Sequence, residues 1–145
     1  MVGRYPFNSQ VGPLDIADYG ISFAQFPRAL AALTEGDVGY VNTSGYVGRA
    51  VATSSSTMRG IGVVGIGGAL SGQPLKIITQ GFFHSANFNF SGYIGGDLYT
   101  PTAAGAPTPI QPSASGQISQ VIGQAVDGSG IYVAVQASIQ RGGTL

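Results

Sequence analysis

Residues 60–72 read GIGVVGIGGALSG, and this glycine-rich stretch decides between two fold classes. Its first six residues match the G-x-G-x-x-G fingerprint of dinucleotide-binding proteins, which requires a buried strand before it and a helix after it. Here residues 54–59, SSSTMR, are polar, and residues 66–74 contain three glycines and a proline, which would break a helix. The fingerprint also needs an acidic residue about 20 positions further on, but no Asp or Glu lies between Asp37 and Asp97. We therefore interpret the stretch as a glycine-rich strand and predict no nucleotide cofactor.

An internal similarity around this stretch favours a β-rich fold. Residues 36–64 align with residues 96–126, because each segment begins with Gly-Asp and carries Ile-Gly 25 or 26 residues later. A run rich in β-branched residues follows in each case, LKIIT at residues 75–79 and GIYVAV at residues 130–135. Short segments of this kind, separated by glycine and proline, are typical of a small all-β sandwich or barrel.

The length of 145 residues fits one domain. The predicted β domain spans residues 27–145 and contains two pseudo-repeats, 36–80 and 96–140, although glycine-rich segments also align by chance. Residues 27–36, PRALAALTEG, are the one predicted short helix, because proline suits the first helical position and glycine follows the last. Residues 1–26 contain two prolines and no clear periodicity, so we predict an extended N-terminal arm.

The chain carries unusually little charge. Only 8% of its residues are charged, against about 25% in typical soluble domains, and six basic and six acidic residues give no net charge. Because net charge opposes self-association, we predict a homo-oligomer that buries much of its surface. The basic residues are scattered, which disfavours nucleic-acid binding, and no apolar run approaches the ~18 residues of a spanning helix. We therefore predict neither a nucleic-acid nor a membrane partner. Because the chain has no cysteine and one histidine, we also predict no metal, and we predict no cofactor.

His84 is the only histidine, so a site with two histidine ligands cannot form within one chain. A catalytic triad could combine it with Ser85 or Ser91 as the nucleophile and Asp97 as the orienting acid. No nucleophile-elbow sequence surrounds either serine. We therefore predict that the protein is not an enzyme, and we interpret His84 as a polar residue beside a strand or at a subunit interface.

The segment 81–93, GFFHSANFNFSGY, is the aromatic centre of the chain. Phe88 and Phe90 alternate with asparagine and serine, which is typical of a half-buried strand. We predict that the rings form core on one face and a subunit interface on the other, the candidate interface residues being Phe82, Phe83, Phe88, Phe90 and Tyr93. An alternative hypothesis is a carbohydrate-binding module in which Phe88, Phe90 and Tyr93 stack on sugars.

Several of these motifs resemble those of small β-rich structural proteins of tailed bacteriophages. The resemblance lies in Gly36-Asp37-Val38-Gly39-Tyr40, in Gly96-Asp97-Leu98-Tyr99, in residues 120–125 (QVIGQA) and in the closing β-branched segment. In particular, the chain is similar over about residues 30–140 to capsid decoration, or cement, proteins, a group that includes the head decoration proteins of lambda-like phages.

The resemblance implies a small β-barrel or sandwich that forms a trimer on the outside of an assembled capsid and binds the major capsid protein. In this family an extended terminal arm commonly contacts neighbouring capsid subunits, and there are no catalytic residues to transfer. The candidate capsid-contact residues of the arm are Arg4, Tyr5, Phe7, Leu14, Ile16 and Tyr19. The implied location is the capsid surface of the virion. A tail or baseplate structural protein is an alternative with the same kind of β unit.

Overall fold

The computed structural model describes residues 21–53, 59–137 and 139–140, and it confirms the predicted all-β class. The described residues form ten strands and no helix. The strands are β1 (Ser22–Phe26), β2 (Val38–Val41), β3 (Val47–Arg49), β4 (Gly62–Val64), β5 (Leu75–His84), β6 (Asp97–Tyr99), β7 (Ile118–Ser119), β8 (Val121–Asp127), β9 (Gly130–Ala134) and β10 (Ile139–Gln140).

Eight of these strands form one antiparallel sheet that curls into a half-barrel. Their order is β3-β2-β4-β5-β9-β8-β6, and β1 pairs with β5 beside this path. The short strands β10 and β7 form a separate pair. Strand β5, ten residues long, is the centre of the sheet because it pairs with β1, β4 and β9.

The glycine-rich stretch that matched the nucleotide fingerprint forms strand β4, which lies between β2 and β5. Val63 and Val64 are completely buried. Gly62 has a φ of 156°, and a Cβ placed on it would overlap the carbonyl oxygen of Ile78 in β5. Glycine at this position therefore lets two strands approach closely, and the strand interpretation of the motif is confirmed. A turn follows instead of a helix, closed by the N–H of Gly68 donating to the carbonyl of Gly65.

The two halves of the sheet share one order of strand pairing. In the first half β2 pairs with β4 and β4 with β5, and in the second β6 pairs with β8 and β8 with β9. In the first half Tyr40 also pairs with Gly48, and in the second half Tyr99 forms a similar bridge with Thr108. Strands β5 and β9 then pair with each other at the centre. The assignment of residues 36–80 and 96–140 as pseudo-repeats stays a prediction, and this common pairing order is the structural feature it has to explain.

The predicted helix at residues 27–36 is wrong. Ala29 forms a bridge with Val47, and Leu33 forms one with Ala69, so the segment is an irregular connection of bends and single bridges beside the sheet. A helix of two turns gains too few hydrogen bonds to offset the cost of nucleation. Here the backbone N–H of Ala29 donates to the carbonyl of Gln73 at 2.8 Å, and that of Leu33 to Ala69 at 2.7 Å.

The predicted arm also ends earlier than residue 26. Ser22–Phe26 form β1, whose residues pair with β5 from Leu75 to Gln80. Its partners Ile77 and Ile78 pair with β4 as well, so both edges of β5 are occupied there. The sheet therefore incorporates the end of the predicted arm, and residues 1–20 lie outside the described residues.

Two clusters of buried side chains pack on opposite faces of the sheet at β4 and β5, because the consecutive residues Val63 and Val64, like Ile77 and Ile78, belong to different clusters. The larger contains Val38, Ala50, Val63, Ile78, Phe83, Phe88, Phe90, Leu98, Ile122, Ala125, Ile131 and Val133. The smaller contains Ala29, Leu33, Val47, Val64, Leu75 and Ile77. The larger cluster contains residues of both halves of the sheet, which therefore share this part of the core.

A buried glutamine joins the second half to the glycine-rich strand of the first. The side-chain amide of Gln120, which is 3% exposed, accepts from the N–H of Gly60 at 2.8 Å and donates to the carbonyl of Gly60 at 2.8 Å. Its Nε2 also donates to the carbonyl of Gln136 at 3.0 Å. Because buried backbone groups require hydrogen-bond partners, Gln120 substitutes here for a neighbouring strand.

Candidate functional site

The aromatic segment divides between the core and the surface. Phe83, Phe88 and Phe90 are at most 5% exposed, with the ring of Phe88 stacked on Phe90 at 5.0 Å and edge-on to Phe83 at 6.0 Å. By contrast, Phe82 is 59% exposed and Tyr93 is 48% exposed. Of the five predicted interface residues, the three buried rings therefore belong to the core of the chain, and Phe82 and Tyr93 are accessible to a partner. The same burial prevents Phe88 and Phe90 from stacking on a sugar.

The face of the sheet opposite the larger cluster, which we call the outer face, carries a row of side chains across four strands. Phe82 of β5 pairs with Tyr132 of β9, Tyr132 with Gln124 of β8, and Gln124 with Asp97 of β6. The rings of Phe82 and Tyr132 lie 4.9 Å apart and are tilted by 56°. Cross-strand neighbours of this kind contact each other directly, so the row is one continuous surface.

A depression with a volume of about 260 Å³ opens on the outer face beside this row. It is lined by Asp97, Val121, Gly123, Gln124, Tyr132, Ala134 and Gln136. The amide of Gln124 is fixed in orientation because its Nε2 donates to the carbonyl of Gly95 at 2.7 Å. The lining therefore combines one aromatic ring, two amides and a carboxylate. The prediction from sequence named Phe82 but missed Tyr132 and Gln124, since only the strand register places them beside it.

His84 does not form the triad considered from the sequence. Its Nε2 lies 2.8 Å from Oδ2 of Asp127, whereas Oγ of Ser85 donates to Oε2 of Glu35 at 2.6 Å. The pKa of Asp127 lies below its ordinary value because the backbone N–H of Ser129 donates to the carboxylate and, secondly, because His84 does so. The pair lies at the exposed end of the β8–β9 hairpin, where His84 is also the strand partner of Gly130.

The acidic residue of the first Gly-Asp motif also serves the fold. Asp37 is 5% exposed, and its Oδ2 accepts from the N–H of Thr34 at 2.8 Å and from Nε of Arg49 at 2.9 Å. Asp residues commonly fix turns by accepting from nearby backbone N–H groups. Its counterpart Asp97 is exposed and faces the depression instead. The two Gly-Asp motifs therefore have different surroundings.

A second groove, of about 350 Å³, lies among the loops that follow β6. Its lining is Pro101, Thr102, Ala103, Thr108, Ile110, Gln111, Pro112, Ser113, Ala114 and Gln117. None of these side chains is charged, and the lining contains no acid or base that could activate its serine or threonine hydroxyls as nucleophiles. Within the part of the chain that the structure describes, no three histidine or carboxylate side chains come together as metal ligands. No helix of that part is long and apolar enough to cross a membrane.

The six candidate capsid-contact residues of the arm, Arg4, Tyr5, Phe7, Leu14, Ile16 and Tyr19, lie outside the described residues. Comparison with known proteins found no family model that matches the chain and no curated protein that matches it.

Proposed function

We propose that this protein is a structural component of a tailed-bacteriophage virion, which binds as a trimer to the outside of an assembled capsid and stabilises the shell. The observation that carries the proposal is the number of large apolar side chains exposed on a chain with few charged residues and no net charge. Nine large hydrophobic side chains of the described residues are at least 36% exposed: Phe23, Leu30, Val41, Ile66, Leu70, Phe82, Tyr93, Ile94 and Ile110.

Four of these side chains occupy two loops. Ile66 and Leu70, 60% and 72% exposed, lie on the loop between β4 and β5, and Tyr93 and Ile94 lie on the loop before β6. Exposed apolar side chains that cluster in this way mark surfaces for protein contact. Association of such loops with companion subunits removes the apolar side chains from water, which stabilises the assembly.

The sequence motifs are what favour a capsid as the structure to which the protein binds. The Gly-Asp motifs at residues 36–40 and 96–99 are those that resemble decoration proteins, and the all-β fold is of the kind that the resemblance implies. The major capsid protein is the partner. A standard interface of about 1,600 Å² gives affinities from micromolar to picomolar, so repetition over many sites of the lattice provides the stabilisation.

Two measurements test the proposal. Analytical ultracentrifugation is expected to give the mass of a trimer, and mixing the trimer with expanded capsids is expected to give co-sedimentation and a higher melting temperature of the capsid. The double substitution Ile66→Ser with Leu70→Ser should weaken either trimer formation or capsid binding. Ser71→Ala, on the same exposed loop, should weaken neither.

A compact monomer that leaves the melting temperature of the capsid unchanged would overturn the proposal. If the protein is a stable oligomer without affinity for capsids, electron microscopy of virions that carry labelled protein decides between the head and the tail. Label in the tail or baseplate would replace the capsid assignment by the tail alternative.

A further inference from the structure

We propose that the depression on the outer face binds a neutral carbohydrate, with Tyr132 as the ring that contacts the sugar and Gln124, Gln136 and Asp97 as its hydrogen-bonding groups. This site is not the one considered from the sequence, because two of the three rings named there are buried. The inference goes beyond the proposed shell function and does not depend on it.

The chemistry of the lining selects the ligand class. An amide both donates and accepts hydrogen bonds, and a carboxylate accepts two or more, so the three polar side chains can pair with neighbouring hydroxyl groups of a sugar. Among the described lining residues there is no lysine, arginine or histidine. The site therefore lacks a cation to bind phosphate or an acidic sugar, and Asp97 repels such groups.

The aromatic rings of the site provide a surface that the apolar face of a sugar ring can contact. Tyr132 lines the depression, and the exposed ring of Phe82 lies 4.9 Å from it on the adjacent strand. Aromatic side chains offer a large apolar surface at a small cost in conformational entropy. Each ring also restrains the other, so the surface that a ligand would contact is already in place.

The dimensions of the site limit the size of the ligand. Pockets for small molecules usually have volumes of about 300–1,000 Å³, and this depression, with about 260 Å³, is slightly smaller. It therefore accommodates one sugar unit, with the rest of a glycan lying along the outer face.

The test applies the full-length protein, in its native oligomeric state, to an array of oligosaccharides built from neutral hexoses and N-acetylhexosamines. Acidic oligosaccharides and proline-rich peptides form the comparison arms. The expected result is binding to neutral glycans only, with amide NMR shifts confined to residues that line the depression. Gln124→Ala and Tyr132→Ala should each weaken binding by about tenfold or more. Phe23→Ala, which removes an exposed ring outside the lining, should leave it unchanged.

The variants are compared only if their melting curves show folded protein. Because Tyr132 is half-buried and Gln124 is exposed, Gln124→Ala provides the readout if Tyr132→Ala unfolds. Absence of any bound neutral glycan, preference for acidic glycans or for the peptides, or equal binding by Gln124→Ala and Phe23→Ala would each overturn the proposal. None of these outcomes bears on capsid binding, which the co-sedimentation assay measures separately.

Discussion

Substitution of Gly62 by alanine tests whether the glycine-rich motif is a strand held against its neighbour. In the structure a Cβ at this position overlaps the carbonyl oxygen of Ile78 and lies 2.9 Å from Cγ2 of Ile77. The obstacle is the backbone of β5, which cannot rotate away as a side chain can. Alanine at this position would therefore separate β4 from β5 at the centre of the sheet.

The expected magnitude follows from two contributions. Forcing an extra methyl group into a packed interior costs about 1–3 kcal/mol. A φ of 156°, which residues with side chains rarely adopt, adds about 1–3 kcal/mol. The middle of the combined range, about 4 kcal/mol, is a large part of a typical unfolding free energy of about 5–15 kcal/mol. It corresponds to a fall of about 8–16 °C in the melting temperature.

Gly65 provides a matched control within the same motif. Its φ is not positive, and a Cβ there would lie 3.3 Å from the carbonyl oxygen of Lys76, so Gly65→Ala should change the unfolding free energy by less than about 1 kcal/mol. Since the chain has no tryptophan, unfolding by urea is followed by circular dichroism and tyrosine fluorescence, at one protein concentration because oligomers depend on it. Equal stability of Gly62→Ala and Gly65→Ala would refute the assignment of this motif to a close strand pair.

Three further predictions concern the core, the buried amide and the pH dependence. Phe90→Ala removes a ring that is 1% exposed and should lower the unfolding free energy by about 3–5 kcal/mol in urea titrations, and a loss below 1 kcal/mol would show that the ring is not in the core. Gln120→Ala leaves the N–H and the carbonyl of Gly60 without the side-chain amide that pairs with both. The unfolding free energy should fall by about 1–3 kcal/mol for each unpaired group, and hydrogen exchange at the Gly60 amide should accelerate. Unchanged exchange would contradict the contact. Because the N–H of Ser129 and then His84 lower the pKa of Asp127, the carboxylate stabilises the fold above its ordinary pKa of 3.8 and this contribution is lost as the pH falls further. As the pH falls below about 4, the unfolding free energy of Asp127→Asn should therefore decrease less than that of the native protein. Equal decreases in the two proteins would contradict the lowered pKa of Asp127.

The strands were predictable where a local pattern determines them. The β-branched segment at residues 75–79 forms the first half of β5, and the one at residues 130–135 contains β9, because such side chains suit a pleated and buried surface. The helix at residues 27–36 could not be excluded in the same way. Its sequence has good local helix signals, and its non-helical form depends on bridges with Val47 and Ala69, which are distant in the chain.

The candidate site was less predictable than the fold, for a reason visible in the aromatic segment. Phe82 and Phe83 are neighbours in β5, so one must face the core and the other the outside, but the sequence does not indicate which. Phe88 and Phe90 alternate with polar residues as a half-buried strand would, yet both rings lie in the core near a turn. Tyr132 contacts Phe82 only because of the register between β5 and β9, which no local pattern contains.

The structure reduces the number of freely hydrated charges below the number in the sequence, because some charged groups already contact other groups of the chain. Several of the few charged groups are occupied within the chain: Arg49 pairs with Asp37, and Nζ of Lys76 lies 4.6 Å from the centre of the ring of Phe23. Groups committed to internal contacts provide less hydration and less repulsion between molecules than the same number of free charges. The exposed loop around Leu70, which is 72% exposed, contains no charged residue between residues 65 and 75. The carboxylate that contacts this loop, that of Glu35, already accepts from the N–H of Gly67 at 3.0 Å and from Oγ of Ser85 at 2.6 Å. Other subunits can therefore cover the loop without burying a carboxylate that lacks hydrogen-bond partners, which is the condition that favours assembly.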